Sequence, residues 1–142
     1  MKKFEFRLQK VLDVKEILVK KTQRDLSLTE EEKSEVEKSL LKTQEYLSDF
    51  SGHLDETRRE KVANLKIQYD HFYQILGEID QQRNNLKQIQ EKIEEIRKRL
   101  LLHQRNRKVL SVLKEKYFED YLKQMESEEQ KFIDESTILN HR

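Results

Sequence analysis

Between Phe72 and Leu100 apolar residues recur in alternating steps of three and four: Phe72, Ile75, Ile79, Leu86, Ile89, Ile93, Ile96 and Leu100, with Gln82 the one polar member of the row. Apolar residues at the a and d positions of a heptad form a narrow seam on one helix face. A helix hides such a seam by winding around a second helix. The side chains between seam positions are mostly Lys, Arg, Glu, Gln and Asn, so the rest of the cylinder faces water. This stretch needs a partner helix.

The composition decides what kind of partner is available. The chain has 142 residues, of which 40% are charged and 35% hydrophobic, with two Gly and no Pro, Cys or Trp. Taken alone, those values fall near the disordered range, where too little apolar surface is available to offset chain entropy. Sustained heptads reverse that conclusion, because a coiled coil needs only about two apolar residues in seven. Without proline, and with almost no glycine, nothing interrupts a helix over long distances. A thick core is excluded, and a long, thin, helical molecule is left.

The first helix carries a weaker seam. From Leu8 and Leu12 it continues through Lys15, Val19, Thr22, Leu26, Thr29, Lys33, Val36, Leu40, Thr43, Leu47, Phe50 and Leu54. The Thr and Lys members between 15 and 33 predict a looser, more mobile stretch there. Gly52 is the obvious breaker, yet the seam passes from Phe50 to Leu54 in phase, and one glycine costs a helix only about 1 kcal/mol. Beyond Leu54 the chain is polar through Lys61, which places the turn at about 59–64, with a kink near Gly52 as the alternative. The expected architecture is all-α: a single elongated domain over 1–142, with helix 1 at about 4–58, helix 2 at about 65–134 and a frayed C-terminal tail. Two long helices joined by a short polar connection make an antiparallel hairpin. Residues 30–60 carry ten acidic and five basic side chains, and 83–108 nine basic and three acidic, so the hairpin sets parts of these blocks side by side. Near Phe118, Leu122 and Met125 the apolar positions spread round the helix, which predicts contact with more than one neighbour.

Chemistry is absent from the pattern. There is no Gly-rich phosphate loop. His53, His71, His103 and His141 are far apart and never at the i, i+4 spacing of a helical metal pair, so each reads as a surface or seam histidine. Adjacent carboxylates such as Glu94 and Glu95 sit on a solvated helix, which offers no enclosed site for acid–base work. No catalytic residue, cofactor or metal is expected, and the chain reads as a non-enzyme. The formal net charge of +1 gives no bulk attraction to nucleic acid or an anionic membrane. The basic clusters at 97–99 and 105–108 therefore read as solvated helix faces rather than a nucleic-acid site. No apolar run approaches the roughly 20 residues that span a bilayer, and Met1–Leu8 lacks the apolar stretch of a secretory signal. With no cysteine, a cytoplasmic protein is the simplest expectation.

The opening Phe4-x-Phe6-x-Leu8-x-x-Val11-Leu12 and the ending Glu129-Gln130-Lys131-Phe132-Ile133-Asp134-Glu135 with Arg142 resemble the flagellar export protein family FliJ, as do the length and the unbroken two-helix pattern between them. The resemblance covers the whole chain and extends to injectisome counterparts. It implies an antiparallel two-helix coiled coil similar to the central stalk, or gamma subunit, of rotary ATPases. It implies a monomer that sits in the pore of the hexameric export ATPase FliI, promotes its assembly and activity, contacts the export gate protein FlhA and takes part in handling export chaperones. It also implies a cytoplasmic place, peripheral to the inner-membrane export apparatus at the flagellar base.

On that resemblance the candidate ring contacts are Phe4, Phe6, Leu8, Val11, Leu12, Tyr117, Phe118, Tyr121, Leu122 and Met125, because they crowd more apolar groups than a two-helix seam buries. The candidate gate contacts are Phe72, Tyr73, Leu76, Ile79 and Arg83. Some family members carry a small residue and a histidine where this chain has Ile79 and Arg83, so the correspondence is firmest at Phe72 and Leu76. Phe72 and Ile79 are also seam positions, whereas Tyr73 and Leu76 lie off the strict seam. The competing readings are a dimerising coiled-coil adaptor or tether, and a nucleic-acid binder using the 97–108 block.

Overall fold

The computed structural model describes residues 2–56 and 62–140, with the side chains of Asp55 and Glu56 left aside. Two helices, α1 over Gln9–Glu56 and α2 over Val62–Asn140, pack against each other as an α-hairpin, and no strand occurs among the described residues. The described backbone packs as two units. One combines Met1–Thr22 with Arg99–Arg142, and the other is Gln23–Lys98.

Within Gln23–Lys98, pairs across the two helices run in opposite directions. Glu30 meets Arg97, Ser39 meets Gln82, and Tyr46 meets His71. Every seam position from Leu26 to Leu54 is buried or half-buried, and so is every one from Phe72 to Ile96. Leu40, Ile75 and Ile79 form a buried cluster against which Leu47, Phe50 and Leu86 pack. In heptad terms Glu30 and Arg97 are both e positions, and Tyr46 and His71 are both g positions. The helices are antiparallel, so like flanks meet: e faces e on one side of the seam, and g faces g on the other.

In the unit combining Met1–Thr22 with Arg99–Arg142 the same phase holds. Leu12, Val19 and Thr22 are buried, and Leu100, His103, Arg107 and Leu110 are half-buried. Thr22 in this unit and Thr29 in the other fill seam sites with a hydroxyl that is already satisfied on its own helix. Thr22 Oγ1 donates to the Leu18 carbonyl at 2.7 Å, and Thr29 Oγ1 to the Asp25 carbonyl at 2.8 Å. The threonine methyl groups are thereby free to pack without stranding a polar atom.

The element boundaries differ from the sequence expectation in three places. First, α1 begins at Gln9, not near Phe4. Phe4 and Phe6 are two residues apart, which on a helix would turn them about 200° from each other. Left extended, both rings face α2, so residues 2–6 form a strap instead of a helical turn. Second, α2 begins at Val62, so the expected turn at 59–64 is helical in its last three residues; its first three lie outside the described residues. Third, α2 continues through Asn140 rather than fraying near 134. No Gly or Pro stops it, and Gln130 Nε2 to Asp134 Oδ1 at 3.1 Å and Thr137 Oγ1 to the Ile133 carbonyl at 2.9 Å link successive turns.

Neither glycine breaks its helix. Gly52 and Gly77 are helical without positive φ, and a Cβ added at either meets nothing within 4 Å. Gly77→Ala is therefore expected to raise stability by about 1 kcal/mol through helix propensity alone, read from urea unfolding followed by circular dichroism. A neutral or lower stability would mean that Gly77 is kept for a backbone approach absent from this fold. Gln82 is the other anomaly: its Nε2 donates to Ser39 Oγ at 3.2 Å, while its Oε1 is buried without a partner. Gln82→Leu is expected to stabilise the hairpin by about 1 kcal/mol or more, read from the same unfolding curves.

Candidate functional site

The crowded chain ends come together as expected. The strap lays Phe4 edge-on against Phe118, with ring centroids 5.2 Å apart at 70°, and against Tyr121 at 5.5 Å. Phe6 meets Tyr117 at 5.9 Å, and Phe118 stacks on Tyr121 at 6.3 Å. The Tyr121 hydroxyl donates to the Lys2 carbonyl at 2.5 Å, which ties the far end of the strap to α2. The strap leads into α1 through Gln9 N donating to the Phe6 carbonyl at 3.0 Å, then Leu12 N to the Leu8 carbonyl at 2.9 Å. Offset and edge-on ring pairs of this kind are worth roughly 0.5–1.5 kcal/mol each beyond area burial.

Burial sorts the ten candidates at this end. Phe6 and Leu12 are buried, and Phe4, Leu8, Tyr121 and Met125 are half-buried. Val11, Tyr117, Phe118 and Leu122 are exposed. Leu12 is committed to the seam, whereas Tyr117 and Phe118 hold the strap with one ring face and leave the remainder to solvent. Beyond Met125, residues 126–140 are exposed throughout, including Phe132, Ile133, Ile138 and Leu139.

The second candidate group lies in Gln23–Lys98. Ile79 is 4% exposed and belongs to the core cluster, so it is not presented at the surface. Phe72 and Leu76 are half-buried, while Tyr73, at 67%, and Arg83 are exposed. Phe72 holds Tyr73 edge-on at 5.8 Å and 80°. Tyr73, Leu76 and Arg83 occupy b and e positions, hence one flank of the seam. Tyr69 and Leu41, both exposed, take e and b positions on that same flank and were missed in the sequence reading. Their spacing from Tyr73 and Leu76 was visible, but the partner helix of the hairpin needed a register before Leu41 could be placed.

The opposite flank carries a cluster that the sequence reading also missed. Tyr46 and Phe50 stack at 6.2 Å and 18°, and His71 sits edge-on to both, 5.1 Å from Phe50 and 6.1 Å from Tyr46. The Tyr46 hydroxyl is 3.2 Å from His71 Nε2. His71 reads from sequence as a surface or seam histidine; it is exposed, and it closes an aromatic cluster between the helices. Among the described residues no group of three His, Cys, Asp or Glu is placed to hold a metal, and no helix is long and apolar enough to cross a membrane.

The strap's dependence on Phe6 is testable. Phe6→Ala removes a buried ring and is expected to cost about 3–5 kcal/mol locally, lowering amide hydrogen-exchange protection at residues 112–121. Unchanged protection there would mean that the strap is not held by its rings.

A family model described as Flagellar FliJ protein matches residues 4–142. No curated protein and no solved structure matches the chain.

Proposed function

The chain belongs to the FliJ family, whose members are non-catalytic components of the flagellar export apparatus, and from that premise we propose that it is the stalk of the export ATPase. In this reading one copy enters the pore of the hexameric ATPase FliI by the paired chain ends, promotes ring assembly and turnover, and reaches the export gate protein FlhA through Tyr73, Leu76 and Arg83 on α2. Export chaperones are further partners. The protein works in the cytoplasm, peripheral to the membrane-embedded gate.

The match over nearly the whole chain carries this reading, and two structural features support it. The strap end keeps Tyr117, Phe118 and Leu122 exposed beside a tied aromatic cluster, so it offers rigid apolar anchors at little further ordering cost. An asymmetric hairpin within a sixfold ring touches only some subunits at a time. It thereby stabilises one conformation of those subunits over another, which is the minimum any allosteric activator must do. For the gate, Tyr73, Leu76 and Arg83, with Tyr69 and Leu41, form the accessible part of the candidate surface, and Ile79 supports it from within.

Titrating the full chain into the cognate export ATPase tests the first half. Turnover is expected to rise to its plateau at about one copy per six subunits, as a single axial stalk requires. Phe4→Ala with Tyr121→Ala is expected to shift that titration by about tenfold. A plateau at one copy per subunit, or no stimulation alongside a stable homodimer in light scattering, favours a dimerising adaptor instead. For the gate, Tyr73→Ala and Leu76→Ala are expected to weaken capture by the cytoplasmic part of FlhA about tenfold. Ile79→Ala should instead lower stability by about 2–5 kcal/mol, read from urea unfolding.

A further inference from the structure

Along residues 10–21 of α1 and 99–116 of α2, both in one packing unit, the two flanks of the seam have different chemistry. The c and g positions, with the outermost f positions, hold only apolar and basic side chains apart from Asn106. Val11, Val14 and Ile17 on α1 and Leu102, Val109 and Val112 on α2 are all exposed there, Val109 at 66%. Lys10 and Lys21 border the α1 part, and Arg99, Arg105 and Lys116 the α2 part, each exposed. The carboxylates of these stretches, Asp13, Glu16 and Glu115, all fall at b or e positions on the other flank. In an antiparallel pair the g positions of both helices lie on one side, so the two apolar rows border a single groove.

Six exposed apolar side chains in two parallel rows are more than a solvated coiled-coil flank needs, and the seam does not use them. We propose that this flank is a docking groove for a partner's amphipathic helix of about three to five turns, carrying an apolar stripe bordered by Asp and Glu. The charge asymmetry supplies the choice of partner. Basic groups border the groove and no carboxylate of either stretch does, so an acidic helix gains on both edges while a basic one is repelled. The two-row shape matches a third helix settling between two others, as helix-in-groove recognition requires. A lipid surface fits less well, since none of the six apolar groups is aromatic and they line a groove rather than one helix face. Apart from Val11, which is also a candidate ring contact, the groove residues are separate from the ring and gate contacts, and the proposal does not depend on those contacts.

The test uses the full chain and two synthetic helical peptides sharing one leucine stripe, flanked by Glu in one and by Lys in the other, with binding read by fluorescence anisotropy. The Glu peptide is expected to bind at least about tenfold more tightly than the Lys peptide, and less tightly as salt rises. Val14→Asp with Val109→Asp is expected to weaken it at least about tenfold. Lys21→Glu with Arg105→Glu should reverse the preference between the peptides, and Glu16→Lys with Glu115→Lys, on the other flank, should leave binding within about twofold. Circular dichroism of each variant checks that the hairpin persists; these positions are exposed, so helicity is expected to be unchanged. Equal affinity for both peptides, no binding, or equal loss from variants on either flank overturns the proposal. It is also overturned if the chain floats with phosphatidylglycerol vesicles in a Val109-dependent way while ignoring the Glu peptide. Sedimentation showing that the groove instead takes a second copy, through its acidic residues 126–139, overturns it as well.

Discussion

Burial of the isoleucine row Ile75, Ile79, Ile89, Ile93 and Ile96 is the interaction on which everything else depends. Each fully buried isoleucine contributes about 1.5–3 kcal/mol by area, several times what helix propensity or an exposed ion pair supplies. The sequence has little else to spend: it is 40% charged and lacks disulfides, metal clusters among the described residues and a second core layer. A solvated helix of such composition is held chiefly by its packed face. Within the same unit, the α1 side answers with Leu40 and Leu54. Removing the row would take away most of the buried apolar surface that pairs α1 with α2 within Gln23–Lys98.

A seam of similar aliphatic groups holds two helices together but specifies their register weakly, because a slide by one heptad restores much the same contacts. The polar and aromatic members supply what the aliphatic ones lack. Gln82 reaches Ser39, and Tyr46 with Phe50 closes on His71; a seven-residue slide would separate both sets. The cost is visible at Gln82, where Oε1 is buried without a partner, and at His103, where Nδ1 is likewise buried. Glu30 and Arg97, 3.4 Å apart and well exposed, agree with the register but contribute little to it. Stability and register thus come from different residues, which is why stabilising substitutions in the seam need not preserve the pairing.

What could be read in the sequence follows the same division. A period-3.5 pattern fixes which face each helix hides, and the positions it names from Leu26 to Leu54 and from Phe72 to Ile96 are all at least half-buried. Helix ends obey no such period. Phe4 and Phe6 belong to an extended strap because two rings two residues apart cannot share a helix face, and that choice depends on Phe118 and Tyr121 waiting across the hairpin. The α2 tail persists to Asn140 because nothing stops it, which is weaker information than a capping signal. At the candidate sites, Tyr73 and Leu76 were legible as off-seam apolar groups, whereas Leu41 and His71 acquire neighbours only once a register exists.

A two-helix coil also makes its contact surfaces unusually easy to locate. A globular domain exposes apolar groups in many places without consequence, since its interior is too thick for any one of them to be diagnostic. Here each helix has one seam, and an apolar side chain outside it has no interior to enter. Several of these residues form groups. Tyr117, Phe118 and Leu122 surround the strap; Leu41, Tyr69 and Tyr73 share the e flank of one unit; Val11, Val14, Leu102 and Val109 share the g flank of the other. Grouping off the seam lowers solubility and adds nothing to the pairing of α1 with α2, so its explanation lies outside the chain. The three groups also differ in chemistry: aromatic at the strap, mixed with arginine on the e flank, aliphatic with basic borders on the g flank. Surfaces so different are suited to partners of different chemistry.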